Sequence, residues 1–210
     1  MTELAIVVAD ARAEPYAAVP TLAFGLRISE ASGARVHAMV LRSQIRIEPQ
    51  RRQYTADEEE RLKELFGEAP RWGETLRPFL WAHVATTVSG FQSQTDIDLP
   101  MPCTYDFEVA AAKYLHALED GEIPLVFLFS GTVFTRGTSG FAAEPIPWHL
   151  EANYRLPVRV WRELMDQYFP NSGWLRLSRP TLDALQKFRT DRALPTWDQA
   201  IEALLKEAAP

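Results

Sequence analysis

The segment Ile123–Phe134 is the feature that most constrains this fold. Read as an extended chain, it puts Leu125, Phe127, Phe129 and Val133 on one face and Val126, Leu128 and Phe134 on the other. A strand that is apolar on both faces must be covered twice, so the segment predicts a central strand. Ser130 and Gly131 interrupt it, and its length is about half of a membrane span. It therefore argues for a protein core rather than a bilayer.

Other segments alternate with period two, which requires one wet face. Leu22, Phe24, Leu26 and Ile28 oppose Arg27 and Ser29, and Leu41, Ser43, Ile45 and Ile47 oppose Arg42, Gln44 and Arg46. With Leu4–Ala9 these make three half-buried antiparallel strands, and Phe79–Phe91 is β-rich as well. Thr55-Ala56-Asp57-Glu58 reads as a capping box opening a short helix near 56–66, with Gly67 as its C-cap. Glu59 and Lys63 are placed as a pair on its wet face. Tyr105, Phe107 and Val109 alternate with Asp106 and Glu108, and Glu119–Glu122 reads as a hairpin turn. This predicts Tyr105–Leu115 as the hairpin partner of Ile123–Phe134. Arg136–Gly140 reads as a loop.

After Pro147 the periodicity becomes helical. Leu156-Pro157 opens one helix, with Val160, Trp161, Leu164, Met165 and Tyr168 at helical spacing. Ser178 and Thr196 cap two more, which direct Leu182, Leu185, Phe188, Ile201, Leu204 and Leu205 inward. Strands first and helices last predict an α+β fold. It is an antiparallel sheet or sandwich from the N-terminal two-thirds, with about three short C-terminal helices packed on it. The expected organisation is a single domain over 1–210, β-rich over 1–135 and mainly helical over 146–210.

The chain has 210 residues and a net charge of −6, which argues against nucleic acid as a partner. Its start lacks the basic and apolar regions of a signal peptide, so the expectation is a cytoplasmic protein without membrane insertion. Cys103 is the one cysteine, so no internal disulfide holds the fold. No phosphate loop, dinucleotide fingerprint or nucleophile elbow is present. His37, His83, His116 and His149 do not form zinc-ligand spacing with each other or with Cys103. Asp96 and Asp98 share a face if extended, but Pro100 and Pro102 favour a solvated edge strand over acid–base or cation chemistry. These readings call for no catalytic residues, no metal and no cofactor. The unusual cluster is Trp148-His149-Leu150-Glu151, after Pro145-Ile146-Pro147 and before Tyr154. It is either a recognition surface or a plug between sheet and helices.

The stretches Ile146-Pro147-Trp148, Tyr154–Val158, Val160–Asp166, Phe169–Leu177 and Leu194–Asp198 resemble an uncharacterised actinobacterial family. So do Glu14-Pro15-Tyr16, Arg46–Gln50 and Leu128–Phe134. Members of that family tend to be encoded beside high-affinity [NiFe]-hydrogenase genes, which implies an accessory or assembly role with hydrogenase subunits as partners. The order of elements from Asp106 to Leu185 also resembles, in part, the SecB export chaperone, a tetramer that binds non-native chains along apolar grooves. The resulting expectation is a non-enzymatic, chaperone-like binding protein that holds a partner subunit or non-native polypeptide, with homo-oligomers as a further expectation. Trp148, His149, Glu151, Tyr154, Trp161 and Phe141 are the candidate partner-binding residues, and Arg155, Arg159 and Arg162 flank them. The alternative is a small-ligand binder or enzyme with a pocket between the sheet and the C-terminal helices, gated by the 136–143 loop.

Overall fold

Period-two alternation forces each half-buried strand to present its apolar face to a second layer. The computed structural model meets this demand with two antiparallel sheets. It describes residues 2–104, 106, 109–137, 140–173 and 175–208, without the side chain of Phe141. The first sheet joins β1 (Leu4–Ala13), β2 (Thr21–Glu30) and β5 (Gln94–Pro102) in the order β1-β2-β5. The second runs β4 (Phe79–Gln92), β3 (Arg35–Ile47), β6 (Glu122–Gly137), β7 (Gly140–Pro145), and β8 (Glu151–Pro157) also pairs with β6. Leu22, Phe24, Leu26 and Ile28 are buried, as are Leu41, Ile45 and Ile47. Phe24 meets Phe127 edge-on at 5.0 Å, which joins the two layers at their centre.

The Ile123–Phe134 segment is an interior strand of its sheet, but its two faces are covered unequally: Leu125, Phe127, Phe129 and Val133 are buried, whereas on the other face Val126 is buried and Leu128 and Phe134 are half-buried. β6 pairs with β3 on one side, and with β7 and β8 on the other. Over its described C-terminal part, the expected hairpin partner is not a strand. Ala110–Ala117 forms a helix, α3, with Ala111, Ala112, Tyr114 and Leu115 buried. The run Ala110-Ala111-Ala112 has the highest helix propensity available, and the buried positions repeat with helical spacing. Tyr105, Phe107 and Glu108, the start of the expected strand, lie outside the described residues. The expected loop at Arg136–Gly140 is instead occupied by strand arms up to a Gly137–Gly140 pair, with Thr138 and Ser139 outside the described residues.

Between β3 and β4 the chain inserts α1 (Ala56–Phe66) and the single turn α2 (Trp72–Thr75). The capping box at Thr55 and Glu58 is present, and the Gly67 amide donates to the Lys63 carbonyl. Lys63 pairs with Glu60 and Glu68 rather than with Glu59. After β8, Pro157 opens α4 (Val158–Tyr168), whose Trp161, Leu164 and Met165 enter the core.

The chain divides into two compact units, Met1–Gly173 and Trp174–Pro210. The first holds both sheets and α1 to α4. The second is a pair of helices, α5 (Arg179–Asp191) and α6 (Trp197–Ala208). Ser178 accepts the Thr181 amide, and Thr196 accepts the Gln199 amide. Within this unit Arg189 stacks over Trp197, and Arg192 pairs with Glu207. Leu185, Phe188 and Leu204 are half-buried, whereas Leu182, Ile201 and Leu205 stay exposed despite the inward face read for them.

His116 of α3 packs edge-on against Trp161 at 4.7 Å. Burial, reinforced by the positive charge of Arg162, pushes its pKa down to about 4. In the unfolded chain an imidazole titrates near about 6.5. Between these values the unfolded state takes up a proton that the folded state does not. This contribution to stability is therefore present above about pH 6.5 and is lost as pH falls towards 4. His116→Gln removes the titration, so moving from about pH 7.5 to about pH 5 should lower the urea midpoint less in the variant than in the wild type. Equal losses in both would overturn the assignment.

Candidate functional site

The edge strand beside β6 is broken in the middle, and the break carries the exposed aromatic cluster. Pro145 ends β7, and Pro147 has no amide to give to the ladder. The Ile146 amide makes the last rung, to the Gly131 carbonyl, and the next rung runs from the Phe129 amide to the Leu150 carbonyl. Between them the Leu150 amide donates to the Pro147 carbonyl at 3.0 Å, closing a β-turn with Trp148 and His149 as its central residues. Trp148 is 92% exposed, and its indole stands edge-on to the His149 ring at 5.7 Å. His149 and Glu151 are exposed beside it. The plug reading of Trp148 is thereby excluded.

The other candidate residues are placed elsewhere. Trp161 is 2% exposed and belongs to the core, so it presents no surface to a partner. An amphipathic helix shows which residues share a stripe, not which layer the stripe meets. Tyr154 is half-buried and packs edge-on against Phe24 at 6.1 Å. Burial, with Asp10 and Glu122 adding negative charge, raises its pKa. The backbone of Phe141 pairs with Arg136 in the β6–β7 hairpin, while its side chain lies outside the described residues. Arg155 lies 3.7 Å from Glu122, Arg159 is exposed, and Arg162 donates to the Leu118 carbonyl. Trp148, His149 and Glu151 are thus the exposed residues of the set, whereas Tyr154 is half-buried and Trp161 is core.

The acid–base candidates resolve into structural roles. Asp96 receives two hydrogen bonds from Arg27, which hold its carboxyl below the usual range. Asp98 is paired with Arg12 at 2.6 Å. Both lie on β5, an edge strand, as Pro100 and Pro102 suggest. Cys103 is buried, and burial pushes its thiol up to about 12, which leaves negligible thiolate near neutral pH. Among the described residues no three His, Cys, Asp or Glu side chains come together as a metal site. No helix among the described residues is long and apolar enough to cross a membrane.

A polar groove of about 670 Å³ lies where the start of α1 meets the turn before β6. Its walls include Arg51, Tyr54, Asp120 and Arg155, and Arg52 and Glu58 also line it. Arg52 and Glu58 form an ion pair with side chains 9% and 2% exposed. Arg52 Nη1 donates to the Glu122 carbonyl, and Glu58 accepts the Glu119 amide. Tyr54 shares a 2.8 Å hydroxyl contact with Tyr114, and burial raises the pKa of both. The capping box announces Glu58 in the sequence, but Glu119 and Glu122 come from distant positions with no such signal.

No curated protein sequence matches the chain significantly. Among solved structures, it is similar to the CARDB domain of the PF1109 protein from Pyrococcus furiosus, crystallised in complex with di-metal ions. That likeness has a TM-score of 0.30 and 8% identity over 74% of this chain and 92% of the other. A β-glucosidase from Kluyveromyces marxianus is similar with a TM-score of 0.26 and 7% identity, over 73% of this chain and 15% of that one. The sequence fits a described family from its first residue to its last: over residues 1–210 the chain belongs to DUF6084, a family of unknown function.

Proposed function

We propose that this protein is a non-enzymatic accessory or chaperone-like binding protein that holds a partner subunit or non-native chain. The supporting observation is Trp148, presented 92% exposed at the apex of a β-turn. A large rigid aromatic held on a fixed turn loses little conformational entropy when a partner covers it. His149 and Glu151 supply polar contacts at the rim. The partner's apolar side chains would be buried against the indole, with Arg155 and Arg159 adding orientation more than affinity. Given the resemblance of the sequence, hydrogenase subunits are the first partners to test.

Trp148→Ala is expected to weaken capture by about 2 kcal/mol or more. Its thermal unfolding should stay within about 0.5 kcal/mol of the wild type, because the side chain is not packed. Affinity purification of both proteins from native cells, with quantitative mass spectrometry, makes the comparison. Equal recovery of the same partner by wild type and variant would overturn the proposal.

A second reading, a binder of a small polar ligand, is favoured by the groove at Arg51, Tyr54 and Arg155. It places the pocket at the start of α1 rather than between the sheet and the C-terminal helices.

A further inference from the structure

A sheet edge exposes a row of unpaired amides and carbonyls, and proteins that stay monomeric blunt such edges with charge, proline or breaks in register. Most edges of this fold are blunted in that way. β5 carries Asp96, Asp98, Pro100 and Pro102. β1 carries Asp10 and Arg12, with a register break between Val8 and Asp10. The β7–β8 edge has Glu144, Pro145, Glu151, Arg155 and Pro157, and it is interrupted by the Trp148 turn.

β4 differs. It is 14 residues long, Phe79–Gln92, and contains no Asp, Glu, Lys, Arg or Pro. Among the described residues it pairs with β3 alone. Its register break lies beside Trp81, which leaves Ala82–Val88 regular. On its inner face Ala82, Val84 and Thr86 are only half-buried, although Ile45, Ser43 and Leu41 opposite them on β3 are fully buried. Leu80 is 46% exposed at its start. The edge is thus both unpaired along its backbone and incompletely covered on its apolar side.

We propose that β4 is the interface with a second copy of this chain, joined by antiparallel β4–β4 pairing across a twofold axis centred on Thr86. Period two fixes the parity of such a pairing. Thr86 faces Thr86 of the second copy, Val84 faces Val88, and on the outer face Ala85 faces Thr87. Each inner residue then meets an inner residue, and each outer one an outer one. The neutrality of the strand favours a second copy as occupant, because self-pairing always sets a side chain against its own kind or a near neighbour's. A charged strand would oppose like charges, and this one opposes none. The inference does not depend on the Trp148 reading, since that turn lies at the opposite edge of the same sheet.

The test uses the full chain at micromolar concentration and light scattering. The wild type is expected at twice the chain mass of 23.8 kDa. Ala85→Lys/Thr87→Lys sets like charges opposite each other at two exposed positions and is expected to run at the single-chain mass with unchanged circular dichroism. Ala85→Glu/Thr87→Glu should behave in the same way. Mixing the Lys and Glu variants should restore the doubled mass. A monomeric wild type would overturn the proposal, as would a dimer that survives both charge variants or variants whose mixture stays monomeric. Trp148→Ala should leave the dimer intact, so failure here and failure of the partner-binding reading are separable.

Discussion

Glu58→Ala should cost about 3–5 kcal/mol in urea unfolding. The side chain is almost wholly buried and makes three contacts that an alanine cannot replace. One oxygen takes the Arg52 guanidinium and the Glu119 amide, and the other takes the Thr55 amide in the capping box. Without it, the Arg52 charge stays buried with its Nε already lacking a partner among the described residues. An uncompensated buried charge is among the most destabilising local changes, and the Thr55 amide also loses its acceptor while the Thr55 hydroxyl still caps the helix. Glu58→Gln keeps the shape and an acceptor oxygen, so it should cost less than Glu58→Ala. Arg52→Met combined with Glu58→Leu should recover most of the loss, because a packed apolar pair often replaces a buried ion pair at little cost. A loss below about 1 kcal/mol for Glu58→Ala would show that water screens the pair and that it does not hold the start of α1 to the turn before β6.

This site also shows where sequence reasoning succeeds and where it stops. The capping box needs only Thr55 and Glu58, three residues apart, so the helix start is legible. The second task of Glu58 depends on Glu119, brought alongside by tertiary folding. Local spacing carries no record of that approach. Trp148 follows the same division. Pro145 and Pro147 mark a break in any strand, yet exposure depends on which strand lies alongside. The alternation of residues 105–109 suggested a strand, but the alanine run after it has the propensity and buried spacing of a helix. β8 carries a legible signal too: Ala152, Tyr154 and Leu156 alternate with Glu151, Asn153 and Arg155, but the run is only seven residues long and its end overlaps the helical spacing that starts at Leu156. The double-faced apolar run at Ile123–Phe134 was the most reliable signal. It places β6 inside its sheet, between β3 and the β7–β8 edge, although Leu128 and Phe134 on its second face are only half-buried.

Gly131→Ala should lower stability by about 3–5 kcal/mol, well beyond an ordinary glycine substitution. Gly131 sits in β6 at φ 136°, a conformation that side-chain-bearing residues rarely adopt. A Cβ there would lie 1.9 Å from the Val40 carbonyl oxygen, so β3 or β6 would have to move. Backbone sets that limit, and no rotamer change relieves it. Gly33→Ala separates strain from contact. Gly33 also has a positive φ, 83°, but nothing lies within 4 Å of its Cβ position. It should cost only about 1–2 kcal/mol, the penalty of the conformation alone. The site ties this packing to the exposed turn, because the Gly131 carbonyl accepts the Ile146 amide where the chain leaves β7. Shifting Gly131 shifts the anchor of Trp148. At temperatures where both variants remain folded, Gly131→Ala should therefore lose partner capture along with stability, while Gly33→Ala keeps it. Denaturant midpoints and the same affinity purification read the two effects side by side. Equal stability of the two variants would show that β3 yields to the added methyl, and the close approach would no longer explain why glycine stands at 131.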